Sequence, residues 1–83
     1  MMEIILAFRS RTHAIKLNEA LSKEGYYTTL TATPTGIGNG CSMSVRTERT
    51  ALLRAQEVIE AQSLTTFIGA YEVSGTFTLR KLL

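Results

Sequence analysis

The chain has 83 residues, of which 45% are hydrophobic and 19% charged, and its formal net charge is +2. We expect residues 1–83 to fold as a single small α+β domain, because this length supports only one hydrophobic core. The single Cys41 excludes an intrachain disulfide framework. One Cys and one His cannot supply the four protein ligands of a structural zinc site. These features predict a protein of a reducing, cytoplasmic compartment.

Other classes of partner are also disfavoured. Apolar runs stay far below the ~18 residues that span a membrane. The N-terminus carries Glu3 and reaches Arg9 after a short apolar run, so it lacks the basic start of a secretory signal. Tyr26, Tyr27 and Tyr71 are too dispersed to form a stacking surface for nucleic acid. We therefore expect no membrane segment, no nucleic-acid partner, no metal and no cofactor.

The first part of the chain predicts a strand followed by a helix. Glu3–Phe8 is a short, almost continuous apolar run, which is typical of an inner strand with both faces covered or of a short central strand. His13–Glu24 repeats apolar residues at helical spacing. Ser10 or Thr12 is the candidate N-cap, and Gly25 is the expected left-handed residue after the helix.

A second strand, a glycine loop and a third strand follow. Tyr26–Thr33 is rich in Tyr and Thr and predicts a strand that Pro34 ends. Thr35–Gly40 contains three glycines at alternate positions and predicts a loop. Cys41–Arg46 alternates between apolar and polar residues, which predicts a half-buried strand.

The last part of the chain predicts a helix and two strands. Thr47 is the candidate N-cap of a helix over Glu48–Ala61, whose first acidic residue suits the helix dipole. Phe67–Val73 and Thr76–Leu82 predict two strands joined by a tight turn, the second of them at a sheet edge. The order β-α-β-β-α-β-β predicts a ferredoxin-like α+β sandwich. It has one antiparallel sheet, both helices on one face and an extra C-terminal strand.

Cys41 admits two interpretations. Free cysteines are among the most buried residues, and Cys41 would share a strand face with Met43 and Val45. Alternatively, Cys41 stands at the exit of a glycine loop, where an environment that stabilises an anion would lower the pKa of its thiol. It would then be a nucleophile or the carrier of a terminal sulfur or selenium atom. The residues alone leave both interpretations open.

The loop before Cys41 is the candidate source of that environment. Gly36, Gly38, Asn39 and Gly40 allow successive backbone N–H groups to converge around an anion. Their spacing is neither a dinucleotide fingerprint nor a phosphate-binding loop, because the segment leads into a strand. A plain strand connection is the alternative.

A second candidate group lies at the start of the first helix. His13 is a candidate for proton transfer, since histidine titrates near neutrality. Arg9 and Ser10 precede it, and together with Arg11, Arg46 and the free N–H groups of the helix they could hold an anion. A partly exposed histidine and solvated arginines are the simpler alternative.

Catalytic carboxylates are not evident in the sequence. The chain contains no Asp, and most of its Glu residues lie on predicted helix faces. A hydrolase with paired carboxylates or a Ser-His-Asp triad is therefore disfavoured. We expect a thiol carrier, or a binding or regulatory module that acts as a homodimer or through a strand edge, rather than an enzyme. A thiol enzyme is a third interpretation, for which the chain offers few partner residues because it has no Asp and no second Cys.

Several of these residues also follow the pattern of a known family. The chain resembles the DUF3343 family of selenium/sulfur carrier protein-like domains from about Ile4 to Val73. The matching positions are Ser10, His13, Ala14, Thr33, Pro34, Ile37 and Cys41. Thr35 replaces a basic residue of the family pattern, and Ser42 replaces a glycine. The resemblance implies a carrier of sulfur or selenium on Cys41 that exchanges its cargo with donor and acceptor proteins.

Overall fold

A computed structural model describes residues 3–34, 37, 43–74 and 78–82. Its elements are β1 (Glu3–Phe8), α1 (Arg11–Lys23), β2 (Thr28–Ala32), β3 (Met43–Glu48), a 3-10 turn (Arg49–Ala51), α2 (Leu52–Ala61), β4 (Phe67–Ser74) and β5 (Thr78–Lys81). The strands form one antiparallel sheet in the order β2-β3-β1-β4-β5. This confirms the ferredoxin-like α+β prediction, with the C-terminal strand at an edge. Within the described residues, no helix has the length and apolarity needed to cross a membrane.

The hydrophobic core lies between the sheet and the two helices. Every residue of the central strand β1 after Glu3 is buried, as predicted for an inner strand. Ile5 and Ala7, which lie on the opposite face of β1 from Ile4, Leu6 and Phe8, are buried as well. One core cluster contains Ile4, Leu6 and Phe8 of β1, Ala14, Leu17 and Leu21 of α1, and Ala55 and Val58 of α2. Both helices therefore cover the same face of the sheet.

The ends of α1 follow the chemistry of their residues. Ser10 is the N-cap, in extended conformation, and its hydroxyl accepts a hydrogen bond from the N–H of His13 at 3.3 Å. The helix consequently begins at Arg11, two residues before the predicted start, and Thr12 lies inside it. At the other end, Gly25 has φ +89° and confirms the predicted left-handed position.

The start of the second helix was predicted incorrectly. Thr47 is not an N-cap: it is fully buried in β3, and its hydroxyl donates to the carbonyl oxygen of Tyr27 at 2.5 Å. Glu48 ends the strand, so the helix does not extend over Glu48–Ala61. Its carboxylate accepts hydrogen bonds from the Thr50 hydroxyl at 2.7 Å and the Tyr27 N–H at 3.1 Å. Both bonds stabilise the carboxylate and lower the pKa of Glu48.

The other element bounds differ by a few residues. β2 is shorter than Tyr26–Thr33, β3 extends past Arg46 to Glu48, and β4 includes Ser74. β5 lies within the predicted Thr76–Leu82, of which the first two residues fall outside the described ranges.

Candidate functional site

Four strand ends meet at one end of the sheet. β1 and β2 finish there, and β3 and β4 begin there. The register shows this directly: Phe8 pairs with both Met43 and Phe67, and Met43 also pairs with Ala32. We call this region the Phe8 end of the sheet. It is where the chain enters α1 and where the segment between β2 and β3 is attached.

The predicted residues Arg9, Ser10 and His13 lie at the Phe8 end. Arg9 follows β1 with an exposed side chain, and its N–H donates to the carbonyl oxygen of Thr66 at 3.0 Å. Ser10 makes two hydrogen bonds to the first turn of α1. Its hydroxyl accepts the N–H of His13, and its carbonyl accepts the N–H of Ala14 at 3.2 Å. A cap of this kind contributes about 1 kcal/mol to helix stability. The partly exposed His13 is thereby fixed in the first helical turn.

The side chain of Thr66 joins these residues to the segment before β4. Thr66 Oγ1 accepts the N–H of Ser10 at 3.2 Å and lies 2.6 Å from Nδ1 of His13. One hydroxyl therefore contacts both the residue that caps α1 and the imidazole on its first turn. Thr66 has no signal in the sequence that marks it as a site residue, because it is 53 positions from His13 and belongs to no motif of the chain.

The backbone after α2 places Thr66 at this position. Ser63 adopts φ +52°, which ends the helix in a left-handed residue. The N–H of Ser63 bonds to the carbonyl of Glu60 at 3.3 Å, and that of Leu64 bonds to the carbonyl of Ile59 at 3.0 Å. Leu64 is 1% exposed and anchors the segment in the core. Two residues later, Thr66 reaches the end of β1.

The segment between β2 and β3 is anchored at the same end of the sheet. The hydroxyls of Thr33 and Ser44 are 2.7 Å apart, and Ser44 is fully buried although it belongs to the polar side of β3. The N–H of Ile37 donates to the carbonyl of Pro34 at 3.2 Å, and Ile37 is 4% exposed. Hydrogen bonds therefore hold Thr33 and Ile37 of this segment.

The remaining predicted site residues lie outside the described residues. These are Gly36, Gly38, Asn39, Gly40 and Cys41. Their roles stay predictions. The sequence places Cys41 two positions before Met43, the residue that pairs with Phe8.

Arg46 does not join Arg9 at the Phe8 end. It pairs with Ile5 in the register, and its guanidinium donates to Glu3 Oε1 at 2.6 Å, toward the opposite end of β1. The carboxylate raises the pKa of Arg46 through this hydrogen bond and the accompanying charge attraction. The expectation that Arg46 contributes to an anion site is therefore wrong. Among the described residues, no group of three His, Cys, Asp or Glu side chains could hold a metal ion.

A comparison with protein families identifies the family of the chain. A family model described as "Putative Se/S carrier protein-like" matches residues 3–67, which is most of the chain. The chain belongs to this family. The match to the Se/S carrier-like family runs from the first residue of β1 to the first residue of β4, so it includes the Phe8 end and Thr66. The comparisons with curated proteins and with solved structures gave no match.

Proposed function

We propose that the protein carries a sulfur or selenium atom on Cys41, as a persulfide or a selenosulfide. Membership of the Se/S carrier-like family supports a carrier. The observation on which the assignment to Cys41 rests is the pairing of Met43 with Phe8. Since Cys41 precedes Met43 by two residues, we propose that it acts beside the end of the sheet where Ser10, His13 and Thr66 meet.

The proposed loading step is an exchange between sulfur atoms. The Cys41 thiolate attacks the outer sulfur of a donor persulfide, R–S–SH, and a new S–S bond gives Cys41–S–SH. The donor S–S bond breaks, and R–S⁻ leaves with its electron pair, so the step needs no external oxidant or reductant. An attack on the selenium of R–S–SeH gives the selenosulfide in the same way. An acceptor thiolate later takes the terminal atom by the reverse exchange.

We propose that several residues stabilise the sulfur anions that take part in this exchange. We propose that backbone N–H groups of Gly36, Gly38, Asn39 and Gly40 stabilise the thiolate. Arg9 and Ser10 would add positive charge and polar contacts from the neighbouring segment. His13 would assist proton movement through Nε2, because its other ring nitrogen contacts Thr66.

The proposed partners are the proteins that supply and receive the cargo. A carrier holds its atom between two such proteins without turning over a substrate of its own, so we propose a carrier rather than an enzyme. Because a persulfide on a single cysteine must be formed and released reversibly, a reducing, cytoplasmic compartment suits this role.

Loading can be tested by intact-mass spectrometry. The protein is incubated with a cysteine desulfurase and L-cysteine, and its mass is compared before and after treatment with a thiol reductant. We expect the wild type to gain one sulfur atom that the reductant removes, and Cys41→Ser to gain none. An unmodified wild type, or equal gains by both proteins, would refute the proposal.

A binding or regulatory module is the second candidate. β2 and β5 form the edges of the described sheet, and edge strands present backbone groups that can pair with another chain. Such a module would act as a homodimer or through a strand edge. Size-exclusion chromatography with light scattering distinguishes part of this alternative: a dimer that takes up no sulfur supports it, whereas a strict monomer that loads sulfur supports the carrier.

A further inference from the structure

Thr66 and His13 form a side-chain contact that involves one of the two ring nitrogens of His13. The oxygen of Thr66 is 2.6 Å from His13 Nδ1. Hydrogen bonds from N–H donors to oxygen have separations of about 2.7–3.2 Å. The separation between Thr66 Oγ1 and His13 Nδ1 lies below this range, which favours the hydroxyl of Thr66 as the donor and Nδ1 as the acceptor.

The contact with Ser10 supports the same direction. Thr66 Oγ1 already accepts the N–H of Ser10 at 3.2 Å. A hydroxyl that accepts one hydrogen bond still has its own proton to donate. Among the described residues, the other group hydrogen-bonded to Thr66 Oγ1 is His13 Nδ1, which can accept that proton. A neutral imidazole that accepts at Nδ1 carries its proton on Nε2.

We infer that Thr66 is a positioning residue that holds neutral His13 in the Nε2–H form and fixes the orientation of its ring. The role of this contact in sulfur exchange rests on the proposed carrier function. The position of the ring proton does not depend on which atom is carried. It links the carrier site to the segment after α2. Ser63 and Leu64 place that segment against the end of β1.

The Nε2–H form limits what His13 can do in sulfur exchange. An imidazole with its proton on Nε2 cannot remove the Cys41 proton at that nitrogen. It can donate a hydrogen bond there to a sulfur anion. In the loading step this anion is the R–S⁻ that leaves when the donor S–S bond breaks. In this form His13 would stabilise the sulfur that departs rather than deprotonate Cys41, which enters the proposed loading step as a thiolate.

The form of the imidazole can be read by nitrogen NMR. His13 is the single histidine of the chain, so its ring signals need no separation from others. At a pH where the ring is neutral, we expect a pyridine-like Nδ1 and a pyrrole-like Nε2–H in the ¹⁵N-labelled full chain. Thr66→Val keeps the side-chain shape without the hydroxyl and should give a mixture of the two forms. Thr66→Ser keeps the hydroxyl and should restore the wild-type spectrum.

Two results would overturn the inference. One is a wild-type protein whose proton lies on Nδ1. The other is a Thr66→Val spectrum identical to that of the wild type. If Thr66→Val does not fold, the wild-type spectrum and that of Thr66→Ser still decide the question.

A functional measurement separates this inference from the carrier proposal. In the loading assay, Thr66→Val should transfer sulfur roughly tenfold more slowly than the wild type, and Thr66→Ser should retain most of the rate. A wild type that shows the Nε2–H form and takes up no sulfur refutes the carrier function and leaves the role of Thr66 in place. A wild type that loads sulfur but has the His13 proton on Nδ1 refutes the role of Thr66 and leaves the carrier function in place.

Discussion

Phe8→Ala is expected to destabilise the protein by roughly 3–5 kcal/mol, which is the usual cost of removing a buried aromatic side chain. Phe8 is fully buried at the end of the central strand, and its ring centre is 5.4 Å from that of Phe67. A chain of 83 residues typically has a stability of roughly 4–12 kcal/mol, so this one substitution removes a large part of it. Urea unfolding followed by circular dichroism measures the change.

Leu53→Ala is the matched control for Phe8→Ala. Leu53 is an apolar residue of α2 that is 73% exposed, so truncating it should change the stability by less than about 0.5 kcal/mol. Similar losses in the two variants would contradict the assignment of Phe8 to the core. Because Phe8 immediately precedes Arg9 and Ser10, a surviving Phe8→Ala protein should also lose order at the start of α1.

His13→Ala is expected to slow sulfur transfer about 100-fold while leaving the protein folded. A group that donates to a developing anion commonly contributes 10²–10³-fold to a rate, and alanine retains no donor. Alanine also has a higher helix propensity than histidine, so α1 should not be weakened. The rate of the mass gain in the loading assay, under single-turnover conditions, measures the effect.

Lys16→Ala is the control for His13→Ala. Lys16 lies on α1 about one turn further on and is exposed, so its removal changes the helix surface without touching the contact between His13 and Thr66. We expect its transfer rate to stay close to that of the wild type. Equal rates for wild type and His13→Ala would exclude a role of His13 in the exchange.

The sequence predicted the architecture because local signals agreed with each other. The apolar run of β1, the Ser10 cap and Gly25 each specify a local conformation, and the structure contains all three. The element order then restricted the fold to one antiparallel sheet covered by two helices. The position of His13 beside the end of β1 follows from the same signals.

Residues whose partners are distant in the sequence were not predictable in this way. Thr47 has the chemistry of an N-cap, but the register of β3 against β1 buries it. Its hydroxyl donates to the carbonyl oxygen of Tyr27 instead. Thr66 carries no signal of its own, since its contact with His13 exists only after α2 and β4 have packed. Both cases reflect tertiary pairing, which local preferences of single residues do not contain.

The pH dependence of Cys41 alkylation by iodoacetamide in the folded protein tests the central claim most directly. Cys41 is the single cysteine, so every label reports on it. We predict rapid alkylation with a midpoint well below ~8.5, the value of a free cysteine, because a carrier needs an exposed thiolate near neutral pH. A midpoint at or above that value would contradict the proposed thiolate, and a thiol that reacts only after unfolding would identify Cys41 as a buried core residue.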